Sequence, residues 1–216
     1  FTIEEAAFKD CSSLESVVFK SNKNLKYIRK EAFCNCSALA SIEIPTSVSV
    51  ICEGAFMNCE KLEKAEFKKC KDFESLEAIE KYAFKNCTSL VSFTLPNSCI
   101  FVGPACFMNC KALESFRYKG DKLMSIQSRT FLNCSSLKNI VMDNLYYNNY
   151  QEFKEDEKMF TFSINSEAFM NCTSLIKVVF EDNSKEIETI KLDKDNNSIF
   201  SYPRYDEHHH KDKEIK

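Results

Sequence analysis

The sequence predicts a solenoid of stacked coils, and three observations predict it. One pattern recurs along the chain: a branched aliphatic, three variable residues, a small residue, Phe, then Cys three residues on and Leu six residues on, closed by an alternating apolar pair. The Phe anchors Phe8, Phe33, Phe56, Phe84, Phe107, Phe131 and Phe169 are separated by 25, 23, 28, 23, 24 and 38 residues. Self-similarity at such a period marks a chain in which each unit packs only on its neighbours. Finally, the segment from each Leu to the second apolar position alternates with period two, the pattern of a short half-buried strand.

A period of about 20 to 29 residues is that of leucine-rich repeats. The expected fold is therefore a leucine-rich-repeat solenoid, a coil of short parallel β-strands with a short helical turn per repeat and about seven repeats. The strands read as LESVVF at 14–19, LASIEI at 39–44, LEKAEF at 62–67, LVSFTL at 90–95, then LESFRY, LKNIVM and LIKVVF. A second apolar pair precedes each Phe, as LKYI at 25–28, LEAI at 76–79 and LMSI at 123–126, and is expected on the opposite wall. Between the two walls, segments such as KEAFCNC place Ala, Phe and Cys at spacings that suit one helical turn. The Asn before the Cys, replaced by Asp10 in the first unit, suits the left-handed conformation that ends such a turn. Pro45 and Pro96 close two strands, where a missing amide donor is tolerated.

Two units are longer. Extra residues around Lys69–Glu74 account for the 28-residue spacing, and an insertion near 143–159, DNLYYNNYQEFKEDEKM, accounts for the 38-residue spacing. Insertions in solenoids go to loops on one face, so this one is expected to project. After Phe180, Ile187 and Ile190 imitate LKYI, but no Phe and Cys follow, and the array is expected to end there. The expected organisation is a solenoid over residues 1–192 and a polar tail over 193–216, partly disordered because it is charged and poor in apolar residues. The chain opens inside a repeat, with Ile3 and Phe8 already at anchor positions, which reads as a piece of a longer protein.

Seven of the 12 Cys occupy one fixed position of the repeat. Free Cys behaves in a core as a small apolar residue, so the reading is a ladder of buried, reduced thiols. Neighbouring strands lie about 4.8 Å apart, within the range of Cα separations that disulfides span, and pairing among Cys34, Cys52, Cys70, Cys99 and Cys106 is the alternative. Reduced thiols persist in reducing compartments and lean toward an intracellular location.

The net charge of -3, with Lys plus Arg 29 against Asp plus Glu 32, lacks the basic field that phosphate binding needs, so nucleic acid is not an expected partner. No run approaches the 18 or so apolar residues of a membrane span, so no membrane insertion is expected within this chain. The three His are consecutive, His208–His210, in the charged tail, leaving no Cys-His or Ser-His-Asp set on the array. Phosphate-cradling glycine motifs are absent and Cys34-Asn35-Cys36 is too close for a zinc knuckle. The reading is a non-enzyme without cofactor or metal. N-x-[ST] acceptor patterns at Asn35, Asn86, Asn133 and Asn171 arise because the repeat itself writes Asn-Cys-Ser or Asn-Cys-Thr.

The unit I-x-x-x-A-F-x-x-C-x-x-L-x-x-I-x-[IL]-P, as in IRKEAFCNCSALASIEIP at 28–45, resembles the BspA-type leucine-rich repeat over roughly Ile3–Ile190. That resemblance implies a right-handed solenoid used for protein binding, often on surface proteins of bacteria and parasitic protists, and so offers a cell-surface location. The Gly that usually precedes Ala-Phe remains in VGPACF at 102–107 and is elsewhere Cys52, Glu80 or Arg29. With Gly 3 and abundant Lys, Asn and Phe, the composition resembles the usage of AT-rich protist genomes.

The expected function is a protein-protein interaction solenoid that binds a protein or peptide on its concave strand face. The alternatives are a structural spacer or a regulatory or targeting region of a larger protein. Period-two alternation turns two columns outward: Ser16, Ser41, Lys64, Ser92, Ser115, Asn139 and Lys177, then Val18, Glu43, Glu66, Thr94, Arg117, Val141 and Val179. Glu43, Glu66, Thr94, Arg117 and Lys64 are the candidate contacts there. Tyr146 and Tyr147, with Tyr150 and Phe153, make the insertion a competing site, since aromatic residues are enriched at interfaces.

Overall fold

The computed structural model describes residues 1–20, 24–68, 75–120, 123, 125–143, 162–182, 185–191 and 200–202. In chain order the strands are β1 (Thr2–Ile3), β2 (Ser16–Val17), β3 (Tyr27–Ile28), β4 (Ser41–Ile44), β5 (Val50–Ile51), β6 (Lys64–Phe67), β7 (Ala78–Ile79) and β8 (Ser92–Leu95). They continue as β9 (Phe101–Val102), β10 (Ser115–Tyr118), β11 (Ser125–Ile126), β12 (Asn139–Asp143), β13 (Phe162–Ile164), β14 (Lys177–Asp182), β15 (Lys185–Lys191) and β16 (Phe200–Tyr202).

The alternating LxxIxI segments form a long sheet in the order β15-β14-β12-β10-β8-β6-β4-β2. The LKYI-type pairs form short strands that line up as β1-β3-β5-β7-β9 and, further along, β11-β13-β16. Pairing from β2 to β14 and from β1 to β9 is parallel and one coil apart, so equivalent residues stack: Phe116 beside Phe93, Ile28 beside Ile51. Inward residues of the long sheet, such as Ile42, Ala65, Phe93, Phe116 and Ile140, share one continuous core with Ile28, Ile51 and Ile79 of the short strands and with Leu25 just before β3. The anchor rings run through this core as a file of parallel rings, with centroids 5.1 Å apart for Phe8–Phe33 and 5.7 Å apart for Phe131–Phe169.

The segment around each Phe differs from the expected helical turn. Among the described residues none is helical. A series of tight turns takes the helix's place, as in Ala7 N–H to Glu4 O, Lys9 N–H to Ala6 O and Cys11 N–H to Phe8 O. Two left-handed residues per coil set this path, two before and two after the Phe. They are Glu31 (φ 53°) and Asn35 (φ 63°) around Phe33, and Tyr82 (φ 61°) and Asn86 (φ 62°) around Phe84. A right-handed helical turn can end on a left-handed Asn after the Phe, but it cannot hold a left-handed residue two before the Phe, inside the turn. The path instead turns alternate amides along the solenoid axis: the N–H groups of Phe8, Phe33, Phe56 and Phe84 donate to the carbonyls of Ala32, Ala55, Ala83 and Cys106 of the next coil.

Individual residues explain local irregularities. Pro45 and Pro96 follow β4 and β8 directly and are buried, their carbonyls accepting the N–H of Val48 and Cys99. A Cβ on Gly103 would lie 2.4 Å from the Lys81 amide nitrogen, so the one unit that keeps Gly before its Ala-Cys-Phe has closed that space against the neighbouring backbone. Tyr118 is buried with its hydroxyl satisfied, donating to Cys99 O at 2.9 Å and accepting from Leu123 N–H at 3.0 Å.

At the C-terminal end the strands change direction. Ile187 and Ile190 do not continue the short-strand wall. They lie in β15, which turns back antiparallel on β14, and β16 from the polar tail pairs antiparallel with β13. The residues 69–74 and 144–161, which include Cys70, Tyr146, Tyr147, Tyr150 and Phe153, lie outside the described residues, as do His208–His210.

Candidate interaction surface

Three ladders run along the coils, and each follows from stacking identical residues in register. The thiol ladder lies in the core. Cys59 Sγ donates to Phe33 O at 3.2 Å, Cys87 Sγ to Phe56 O at 3.2 Å, Cys110 Sγ to Phe84 O at 3.2 Å and Cys134 Sγ to Phe107 O at 3.0 Å. The Cys therefore does more than fill space, because it links each coil to the one before. Burial pushes the Cys99 thiol up to about 12 and the Cys87 and Cys134 thiols well above the ordinary value. The described cysteines are free thiols, including Cys34, Cys52, Cys99 and Cys106. Cys11 corrects the expectation of seven buried thiols. It is exposed, because no described coil precedes it to cover it or to offer a carbonyl.

The second ladder is made of amides. Asn58 Nδ2 donates to Asn35 Oδ1 at 2.7 Å, Asn86 to Asn58 at 2.6 Å, Asn109 to Asn86 at 2.7 Å, Asn133 to Asn109 at 2.7 Å and Asn171 to Asn133 at 2.7 Å. Asp10, which can only accept, ends the row by receiving Asn35 Nδ2. Stacked Asn side chains pair this way wherever in-register backbones repeat them at strand spacing. The row forms one side of an open groove of about 590 Å³ lined further along by Thr88, Lys111, Ser135 and Thr173. The sequence marks these Asn only as turn-ending residues; their recurrence in register was the signal for the ladder. The amide nitrogens that a glycan would need at Asn35, Asn86, Asn133 and Asn171 are the ladder's donors.

The third set is the outward face of the long sheet. Its first column is continuous, Ser16 pairing with Ser41, Lys64, Ser92, Ser115, Asn139 and Lys177 in turn. The second column is divided. Glu43 and Glu66 are in-register neighbours and both exposed, and Thr94, Arg117, Val141 and Val179 are in register with one another. Between β6 and β8 the described pairing is Lys64 with Ser92, so Arg117 is not a ladder neighbour of Glu66. Arg117 is half-buried, and Val179 is 5% exposed, which removes it from the outward face. Lys138 Nζ and Glu114 Oε2, 3.1 Å apart, flank the face with a surface ion pair.

Among the described residues, no cluster of His, Cys, Asp or Glu is arranged to hold a metal ion, and no helix is long and apolar enough to cross a membrane.

Among curated proteins, no sequence matches the chain. Among solved structures, the chain is similar to a leucine-rich repeat protein of T. pallidum, with 21% identity and a TM-score of 0.60 over 78% of this chain and 71% of that one. It is similar to a leucine-rich repeat protein of Bacteroides ovatus, with 26% identity and a TM-score of 0.58 over 80% of this chain and 44% of that one. The pneumococcal vaccine antigen PcpA is a third, with 21% identity and a TM-score of 0.51 over 85% of this chain and 47% of that one. The chain thus spans less than half the length of the last two. The sequence model of the BspA-type leucine-rich repeat region matches in 6 copies over residues 1–75, 66–162 and 158–203, against the about seven repeats read from the Phe anchors. The chain belongs to the BspA-type leucine-rich repeat family.

Proposed function

We propose that this solenoid binds a protein or peptide on the outward face of its long sheet, without catalysis, with Glu43, Glu66, Lys64, Thr94 and Arg117 as contacts. Leucine-rich repeat proteins are in general protein-interaction scaffolds. The observation that carries the reading is the pairing of Glu43 with Glu66 on adjacent strands. Like charges placed side by side on a sheet cost stability, and nothing in the packing of these exposed side chains requires them. A basic group on a partner would turn that cost into attraction. The parallel sheet also holds the contacts in place beforehand, whereas a loop would spend part of its binding energy on ordering.

The test captures partners with the full chain, then repeats the measurement with Glu43→Lys, Glu66→Lys and Arg117→Glu together and, separately, with residues 146–157 deleted. The expected result is loss of the partner with the charge-reversed chain and retention with the deletion. If the deletion abolishes binding while the folded charge-reversed chain binds normally, the site is the insertion that carries Tyr146 and Tyr147.

A further inference from the structure

The outer face of the short-strand wall carries a row of side chains that lies away from the long sheet. Register places Thr2, Tyr27, Val50, Ala78 and Phe101 side by side on β1, β3, β5, β7 and β9. Tyr27 and Phe101 are 40% and 41% exposed, while Thr2, Val50 and Ala78 are half-buried. Ile100, just before Phe101, is 50% exposed. Single exposed apolar residues are ordinary, but a row held in register by a sheet marks a contact surface.

The charges flanking this row follow a pattern. Lys26, Ser49 and Glu77 precede Tyr27, Val50 and Ala78, and Arg29, Cys52 and Glu80 stand two residues after them. The coil of Tyr27 is thus basic on both sides of the row and the coil of Ala78 acidic on both sides, with the neutral coil of Val50 midway. Lys26, Glu77 and Arg29 are exposed and Glu80 is half-buried. Contacts within the chain hold two of these groups to the wall: Arg29 lies 3.5 Å from Glu4 and over the Tyr27 ring, and Glu80 accepts the Glu53 N–H at 2.8 Å.

We infer that this wall is the contact between two copies of the chain, packed face to face about a two-fold axis that runs along the strands through Val50. Such an axis sets the coil of Tyr27 against the coil of Ala78 in the second copy and keeps the order of residues along each strand. Tyr27 then covers the small Ala78 of the second copy, and Phe101 covers its Thr2. Lys26 meets Glu77 and Arg29 meets Glu80, each twice by symmetry, while Val50 and Cys52 meet their own counterparts on the axis. A contact of this kind must be self-complementary, and the inversion of charge and side-chain size about Val50 is that property. The other face-to-face two-fold, along the array, would set Tyr27 on Tyr27, Lys26 against Arg29 and Glu77 against Glu80. Moving the first axis by half a coil would set Tyr27 on Phe101 and break every ion pair. A partner of unrelated sequence gives no reason for a pattern that inverts about one coil. The row spans four coil steps, about 19 Å. That is short for a permanent interface, so a weak and salt-sensitive dimer is expected.

The experiment is sedimentation velocity on the full chain from micromolar to millimolar concentration, which should show a monomer–dimer equilibrium that stops at the dimer and weakens in high salt. Lys26→Glu alone and Glu77→Lys alone should each weaken dimerisation at least about tenfold, because each sets like charges face to face. Mixed in equal amounts, the two variants should recover the parent's dimerisation, since the reversed position of each then faces an opposite charge on the other. In a Cys11→Ser background, a bis-maleimide whose reach matches the sheet spacing of about 10 Å should join Cys52 of one copy to Cys52 of the other. A parent that stays monomeric at every concentration overturns the proposal, as do oligomers larger than the dimer. So do charge variants that dimerise as the parent does, or a mixture that stays monomeric although both variants have native circular dichroism. Should either charge variant not fold, Ala78→Gln fills the space that Tyr27 needs, and unchanged dimerisation with it overturns the proposal equally.

Discussion

Cys87 Sγ donates to the Phe56 carbonyl oxygen 3.2 Å away, across the boundary between two coils. That oxygen already accepts the N–H of Cys59 within its own coil. The thiol therefore supplies a second bond without being the carbonyl's sole partner. Cys87→Ala should remove this bond and leave a small void, at a cost of about 1 to 2 kcal/mol, the net worth of one buried hydrogen bond plus a lost sulfur. Urea unfolding of the two proteins, with an unchanged slope, checks it. A midpoint equal to the parent's would mean that the thiol acts only as filler.

The anchor rings should differ by position. Phe84 is fully buried between Phe56 and Phe107, with centroids 5.2 and 5.5 Å away, and Phe84→Ala should cost about 3 to 5 kcal/mol. Phe8 has a neighbouring ring on one described side only, Phe33 at 5.1 Å, and Phe8→Ala should cost clearly less. In a one-dimensional array the damage at Phe84 can stay local, so calorimetry should resolve the parent's single transition into two. Equal losses at the two positions would contradict the unequal burial.

The buried thiols also set an alkaline limit, and Cys99, outside the ladder, gives its size. A buried thiol stays protonated in the folded chain while the unfolded chain ionises above the ordinary value of 9.0. Its contribution is complete below that pH and is lost as pH rises toward the folded value, about 12 for Cys99. Each such thiol should cost about 1.4 kcal/mol per pH unit in that window. Stability measured from pH 7 to 10.5 should be level at first and fall steeply above 9, and Cys99→Ala should make the fall shallower. A level profile through pH 10.5 would contradict the burial.

The stacking was legible because it rests on side-chain identity: Phe, Cys and Leu recur at fixed offsets, and only a coil that returns to the same register satisfies all three. The turn around each Phe was not, since Ala, Phe and Cys share a face in one helical turn and equally in consecutive tight turns. What distinguishes them is a left-handed residue two before the Phe, and that place is filled by Ala6, Glu31, Tyr82, Ala105, Arg129 and Glu167, with Gly54 alone advertising it. The outward columns were read correctly from alternation at Glu43, Glu66 and Thr94. Alternation cannot register that β6 and β8 pair at Lys64 and Ser92 but not at Glu66 and Thr94, nor that Val179 is buried.

The account's central claim is an in-register stack whose Cys bridge one coil to the next, and site-resolved thiol labelling of the native chain tests it most directly. A brief pulse of a small alkylating reagent, followed by digestion and mass spectrometry, should label Cys11 and leave Cys59, Cys87, Cys110 and Cys134 unmodified until denaturant is added, because burial both hides these sulfurs and keeps them protonated. Labelling of those four at the rate of Cys11 in the folded protein, or their recovery as disulfide-linked peptides, would contradict it.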